Sequence, residues 1–468
     1  MRSTWLGFGL GLFTLIGCNA LWQGYLSPLD NPDGSVEVAD LTGADLTGTP
    51  PDDLTGADLT SVPPPDMTMP TKLCGFGTVP SNVFKYAQYS TITTLPAGPN
   101  YDRIAAIDIN NDGIAEVGVS DGTATVRVVN ITKSAATCTY ASTANCAVTN
   151  AVLDIEALQI SPTVSVLVTA AQNGSAAIST CTSFPPTPKV HSSAQFSSSP
   201  TSGKRFLSMP RIENPTSGQF IFSEKSGDGT GDRVVSVKID AAFTLSAVTL
   251  DTIGLNAASN GSFEPRYAAG ARIDDVAPDG NLDFVTIEAK AGSERLAFYN
   301  NNGTAPQLPK GSTAVAVGFE GSNDIISAKL SNDSYDDIVT IANGSAQITP
   351  YIIANPTTIT KMPVHTVPNG ANSRNNLLFY DLDKTIGFDE LLAINTGSSA
   401  ISIYTYSAGA WSAAMNILVK SPFVPVAMAL GYLDKATSPS TPDIFVLAKN
   451  GSTYEVGVIR WVPPGFSL

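Results

Sequence analysis

The chain has 468 residues, of which 43 % are hydrophobic and only 14 % charged, enough material for several domains or for one large repeat architecture with an ample core. Forty-one acids against 26 bases leave a net charge of −15, and no dense Lys/Arg run occurs. That balance argues against nucleic-acid binding through phosphate contacts.

The first residues read MRSTWLGFGLGLFTLIGCNA. One positive charge, an apolar run from Trp5 to Ile16 and a small residue before Cys18 predict a signal peptide over residues 1–17, too short to span a bilayer as a helix. Leu15-Ile16-Gly17-Cys18 resembles the bacterial lipobox, which implies cleavage before Cys18 and a lipid on that cysteine; an ordinary secretory signal with a chance cysteine is the alternative. Asn19 is not the Asp that, in the enteric lipoprotein pattern, retains a protein at the inner membrane, so the expectation is a bacterial envelope protein anchored at the outer membrane or cell surface.

Residues 18–72 form a tether. From Asn19 to Pro70 there are nine Asp/Glu and no Lys or Arg, and DLTGADLTGTPPD (40–52) is repeated as DLTGADLTSVPPPD (53–66). The ADLTG units look like pentapeptide-repeat coils, but a solenoid needs several stacked coils and here the run is broken by prolines. The segment reads as a disordered acidic linker spanning roughly 40 Å, extended further by charge repulsion and proline stiffness. Beyond Cys18 there remain Cys74, Cys138, Cys146 and Cys181. In an exported chain these predict two disulfides with three possible pairings, and closeness in sequence favours Cys138 with Cys146, hence Cys74 with Cys181.

From residue 73 onward a short x-Gly-Ser/Thr turn recurs after apolar segments: DGT at 121–123, NGS at 173–175, DGT at 228–230, AGS at 291–293, NGS at 343–345, TGS at 396–398 and NGS at 450–452. From Gly122 to Gly451 the spacing averages about 55 residues, within the range of propeller blades. Asn-Gly and Asp-Gly between alternating strands are hairpin signals. Seven four-stranded units that cannot bury both faces alone pack around an axis, so residues 73–468 are predicted as an all-β, seven-bladed β-propeller, preceded by the signal peptide and the acidic linker. Two unrelated β-sandwiches would not share one period. The strand that closes the last blade is expected from LCGFGTVP or from the segment after it.

Ahead of the apolar segment of unit one stands DINNDGIAE (108–116). Five oxygen-bearing side chains and a glycine suit a hard cation, although Val119 occupies the place where an EF-hand needs Glu. Related stretches stand at the same place in later units: DVAPDGNLD (275–283), with Ala277 in the third slot; KLSNDSYDD (329–337), with Lys329 first; DLDKTIGFDE (381–390), one residue longer; and YLDKATSPSTPD (432–443). This pattern resembles the FG-GAP and VCBS repeats of integrin α-type propellers, over most of residues 100–468 and most clearly in unit one. The resemblance implies calcium held by Asp108, Asn110, Asp112, the carbonyl of Ile114, and Glu116. Carried to unit four it implies Asp275, Asp279, Asn281 and Asp283, and in unit six Asp381, Asp383 and Asp389. The residues alone leave open that Asp, Asn and Gly are simply good turn formers. In unit five the ammonium of Lys329 is expected to take the cation's place and pair with Asp333 and Asp337. Glu224, Ser226, Asp228 and Asp232 have a matching spacing but sit at the later turn, and are read as surface residues.

His191 and His365 lie in polar, proline-flanked contexts read as surface loops, and no nucleophile elbow, phosphate loop or dinucleotide-binding glycine motif is present. The expectation is a non-enzymatic lipoprotein whose structural calcium stiffens a propeller that binds an envelope or extracellular protein. The alternatives are a lectin-like propeller, with Tyr404, Tyr406, Trp411 and Trp461 as stacking faces unless they pack within the blades, and a propeller-based polysaccharide-active enzyme built from distant acids.

Overall fold

The computed structural model describes residues 86–462 apart from internal stretches, the longer of which are 197–203, 210–217, 226–232, 252–263, 274–282, 300–314 and 434–440. Contacts divide the chain into Met1–Thr68 and Met69–Leu468, and every described residue belongs to the second unit. Signal peptide, Cys18, the acidic linker and Cys74 therefore lie outside the described residues. Thirty-one strands make up the described secondary structure, and among these residues no helix is long and apolar enough to cross a membrane.

Chain order and sheet order coincide within the blades, apart from the short strands His365–Thr366, Tyr406–Ser407 and Ala410–Trp411, and the main exception is the first strand. β1 (Tyr86–Leu95) pairs with the end of the chain rather than with its sequence neighbour. Blade one is β2 (Arg103–Ile107), β3 (Glu116–Ser120), β4 (Thr125–Lys133) and β5 (Cys138–Ala147); blade two is β6 (Val152–Ser161), β7 (Val164–Ala171), β8 (Ile178–Thr182) and β9 (Thr187–His191). Blade three is β10 (Lys204–Ser208), β11 (Gln219–Lys225), β12 (Arg233–Ile239) and β13 (Leu245–Asp251); blade four is β14 (Glu264–Ala271), β15 (Asp283–Lys290), β16 (Ser293–Tyr299) and β17 (Val315–Ala316). Blade five is β18 (Ser322–Ala328), β19 (Asp337–Ala342), β20 (Gln347–Asn355) and β21 (Thr358–Lys361), with β22 (His365–Thr366) also on β20. Blade six is β23 (Leu377–Tyr380), β24 (Glu390–Asn395), β25 (Ala400–Tyr404) and, after the small hairpin β26 (Tyr406–Ser407) and β27 (Ala410–Trp411), β28 (Met415–Leu418). Blade seven takes β29 (Val424–Gly431), β30 (Asp443–Asn450) and β31 (Thr453–Trp461) from the end of the chain and β1 as its outermost strand. The fold is an all-β, seven-bladed propeller, and its ring is closed by the segment after LCGFGTVP.

The recurrent Gly-Ser/Thr turns connect the second strand of each blade to the third, which explains their spacing. The antiparallel order places these hairpins at one end of the ring and the first-to-second connections at the other. Middle strands are buried on both faces, as in Asp443–Asn450, because each sheet is covered by a neighbour on either side. Seven hydrophobic clusters form among the described residues, one at each junction between adjacent blades. At the closing seam Tyr89 lies over Gly457, where any β-carbon would meet its ring at 2.2 Å, and its hydroxyl donates to Glu455 at 2.7 Å. Glycine there gives the aromatic ring of the closing strand a flat seat.

The disulfide differs from the expectation. Cys146 pairs with Cys181, with α-carbons 6.1 Å apart, so neither the Cys138–Cys146 nor the Cys74–Cys181 pair forms. Cys138 and Cys146 stand at the two ends of one extended strand, β5. Eight residues of strand span roughly 26 Å, far beyond the 7 Å that a disulfide bridges. The observed bond instead crosses from the fourth strand of blade one to the third strand of blade two, inside the cluster at that junction.

Candidate metal centre

Five blades carry a buried acid at the first residue of their second strand: Glu116, Asp283, Asp337, Glu390 and Asp443. Each accepts the backbone amide of an apolar residue at the start of the connection that precedes it: Ile109 (2.9 Å), Ile273 (3.4 Å), Leu330 (2.7 Å), Leu382 (2.6 Å) and Leu433 (2.8 Å). These apolar residues are themselves buried, so each connection is pinned by a plug and a carboxylate together. The residue before the acid reaches the preceding blade: Ala115 N donates to Tyr432 O at 2.7 Å, Asp336 N to Arg272 O at 2.8 Å, and Asp389 N to Lys329 O at 2.6 Å. Where that residue is Asp, its carboxylate also accepts the amide of the same partner, Arg272 N on Asp336 and Lys329 N on Asp389, both at 2.7 Å. Backbone and side chain thus clamp neighbouring connections at this end of the ring.

The clamps fix the correspondence between blades. In blade four they are made by Arg272 and Ile273, so the connection starts three residues ahead of Asp275; Asp275, Asp279 and Asn281 lie outside the described residues. In blade six the counterpart of Glu116 is Glu390, while Asp389 serves the clamp to Lys329; Asp381 opens the connection and Asp383 lies outside the described residues.

Blade one gathers oxygen most densely. Asp108 accepts the amides of Asp112 (3.2 Å) and Gly113 (2.8 Å), and Asp112 accepts that of Ile114 at 2.9 Å. Gly113 has φ +85°, a conformation that glycine adopts without strain and that lets the loop turn back on itself. The side-chain amide of Asn110 donates to Asp112 at 3.1 Å and to Glu116 at 2.7 Å, so three polar side chains meet at one point. A half-turn of that amide would bring its oxygen to the same point. Burial pushes the Glu116 carboxyl up to about 8, the Ile109 amide opposes the rise, and Asp112 and Asp108 add to it. An all-oxygen set around a glycine turn fits a hard divalent cation. Among the described residues, however, no three His, Cys, Asp or Glu side chains cluster as a metal site, so such a cation would depend on Asn110 and the Ile114 carbonyl as well as on the acids.

Blade five answers the same frame differently. The ammonium of Lys329 donates to the carbonyl of Asp333 and to that of Tyr335 at 3.0 Å, and lies 3.8 Å from the Asp333 carboxylate. Tyr335 stands where Ile114 stands in blade one. Asp337 is not the partner expected for this lysine: its oxygens take Leu330 N and Ser331 Oγ (2.9 Å) on one side and Ile353 N (2.8 Å) on the other.

Both histidines depart from the surface reading. His191 ends β9, is 5 % exposed and lies 3.1 Å from Thr180 Oγ1; burial first, then Lys189, lowers it to about 4. His365, on β22, meets Tyr404 edge-on at 5.1 Å and Trp411 at 5.8 Å. Glu224 is likewise buried rather than on the surface, because β11 registers it opposite Arg205, with which it pairs at 2.8 Å. Tyr404 and Tyr406 are buried, and Trp411 and Trp461 pack against blade cores. The chain thus uses these four aromatics in blade packing.

No family model and no curated protein matches the chain. Among solved structures, it is similar to BBS1N in complex with ARL6DN (12 % identity, 80 % of this chain and 98 % of that one, TM-score 0.48). It is also similar to the β-propeller domain of Cps50 (Swd1) from Myceliophteria thermophila (10 % identity, 80 % and 100 % coverage, TM-score 0.45) and to the WD40 domain of Toxoplasma gondii coronin (9 % identity, 81 % and 86 % coverage, TM-score 0.45). These are distant likenesses of fold.

Proposed function

We propose that this chain is a non-enzymatic, lipid-anchored protein of a bacterial envelope that presents a calcium-stabilised propeller of the FG-GAP/VCBS type for protein-protein interaction or adhesion. The observation that carries the reading is the closed ring itself: blade junctions are filled, the candidate sugar-stacking aromatics are spent on packing, and both ends are built from connections held on a rigid frame. Binding surfaces sit on such connections when a scaffold fixes them. Calcium would be held by Asp108, Asn110, Asp112, the Ile114 carbonyl and Glu116, and would supply the positive charge that the gathered oxygens call for. The lipobox-like LIGC and the acidic stretch behind it support an anchored, extended presentation.

The test uses the full chain with Cys18→Ser, cross-linked to intact envelopes in calcium and in chelator, beside a glycan array under both conditions. Recovery of one protein in calcium, with a blank array, supports the reading. Saturable binding to one sugar class would replace it with the lectin reading, and continued membrane attachment of Cys18→Ser would remove the lipid anchor.

A further inference from the structure

The first strands of six blades surround an axial chamber of about 180 Å³. Ile104, Leu207, Ile325, Leu377 and Met428 make its wall largely apolar, and Glu156 and Arg374 are the charged groups among its lining residues. At one mouth lies a second space of about 230 Å³, lined by Arg103, Asp154, Arg205, Asp324 and Arg374. Nearly all of these charges are matched. Arg374 binds Asp324 through Nε (2.9 Å) and Nη2 (2.5 Å) and donates to the Leu207 carbonyl at 2.8 Å; Arg205 pairs with Glu224 at 2.8 Å and Arg103 with Asp102 at 3.1 Å. Asp154 accepts the amides of Leu207 (2.9 Å) and Ile155 (3.1 Å). Glu156 alone among them makes no hydrogen bond and no ion pair with a described residue.

Glu156 is partly open to the chamber and feels Arg374 and Arg103 only at a distance, so a cation or a proton seated beside it is favoured. We propose that the axial chamber binds a small organic monocation, an alkylammonium or similar amine, whose charged head pairs with Glu156 and whose apolar body rests on Ile104, Leu207, Ile325 and Leu377. The head group would replace hydration with a charge-assisted hydrogen bond, and the body would remove apolar surface from water. Burial, with Asp154 beside it, raises the Glu156 carboxyl; Arg374 and Arg103 oppose that rise and Asp324 adds to it. Amine binding at neutral pH therefore drives a proton off Glu156 into the buffer.

The full chain is titrated calorimetrically with n-butylammonium chloride and, separately, with n-butanol, in two buffers of different ionisation enthalpy. The expected result is saturable, one-to-one binding of the amine, none of the alcohol, and proton release that differs between buffers in the predicted sense. Glu156→Gln, which keeps a neutral group of nearly the same size on the chamber wall and should melt no lower than the parent, loses affinity by about tenfold or more together with the proton release. Ala157→Leu, which narrows the chamber and leaves Glu156 in place, should also weaken binding. No saturable heat with the amine, equal binding of amine and alcohol, or unchanged affinity in both variants would overturn the proposal.

Discussion

The first-to-second connections of blades one and five share a frame and differ in what neutralises it. In both, an apolar plug is held by the buried acid that opens the second strand, and in both a turn of Asp-rich sequence brings oxygens inward. Blade five supplies its own cation, with Lys329 reaching the carbonyls of Asp333 and Tyr335. Blade one has Asp108 at the corresponding position and, among the described residues, no ammonium or guanidinium bonded to its loop oxygens. In both blades the acid beginning the second strand is an element of backbone architecture first, and what neutralises the loop above it is a separate matter.

The largest test of that separation is Asp337→Ala. It strips partners from Leu330 N, Ile353 N and the Ser331 hydroxyl at once, and should cost about 3–5 kcal/mol in urea unfolding. A loss below about 1 kcal/mol would show that the acid is not what pins the connection. Next, chelation should lower the melting temperature of the parent. At a hundredfold excess over Kd, calcium is worth about 2.7 kcal/mol, and Asp112→Ala should make the protein insensitive to chelator. Lys329→Met should cost about 2 kcal/mol by leaving two carbonyls short of a donor, equally with and without calcium. Lys329→Asp restores the acid of blade one and should add one calcium to the measured stoichiometry. An unchanged count would mean that the two connections are not interchangeable.

The smallest effect is a pH slope. Burial raises the Asp337 carboxyl to about 6, against backbone hydrogen bonds to Ile353 and Leu330 that lower it. Its folded value lies above its unfolded one, so the native state holds the extra proton. The associated stability is present below about pH 4 and is lost as pH rises through about 6. Asp337→Asn should flatten the melting temperature in that window, beyond its uniform cost.

Much of the fold was legible because its signals are local. A Gly-Ser/Thr turn between apolar segments declares a hairpin wherever it occurs, and its recurrence gave seven blades. Lys329 in place of an acid was visible from the register of the stretch, although the lysine's partners proved to be carbonyls rather than Asp337. The disulfide was misread because the pairing of Cys146 with Cys181 depends on how adjacent blades face one another, which closeness in sequence does not encode. Blade four's register was obscured by three extra residues after Ile273. The axial chamber has no local signature, since six strands contribute a few residues each. Its one trace is the pair of acids in VLDIEALQI, where an otherwise apolar strand turns Asp154 and Glu156 toward the axis.

Closure of the ring by β1 also fixes an order of events. Tyr89 meets Glu455 across 366 residues of chain, so the strand made early finds its partner only when the last hairpin has arrived. Until then both strands expose unpaired edges, and the long loop makes their meeting slow. A chain made from its amino end must therefore wait with the seventh blade unfinished. Moving β1 to the carboxyl end by circular permutation would remove that wait while leaving every contact of the finished ring in place.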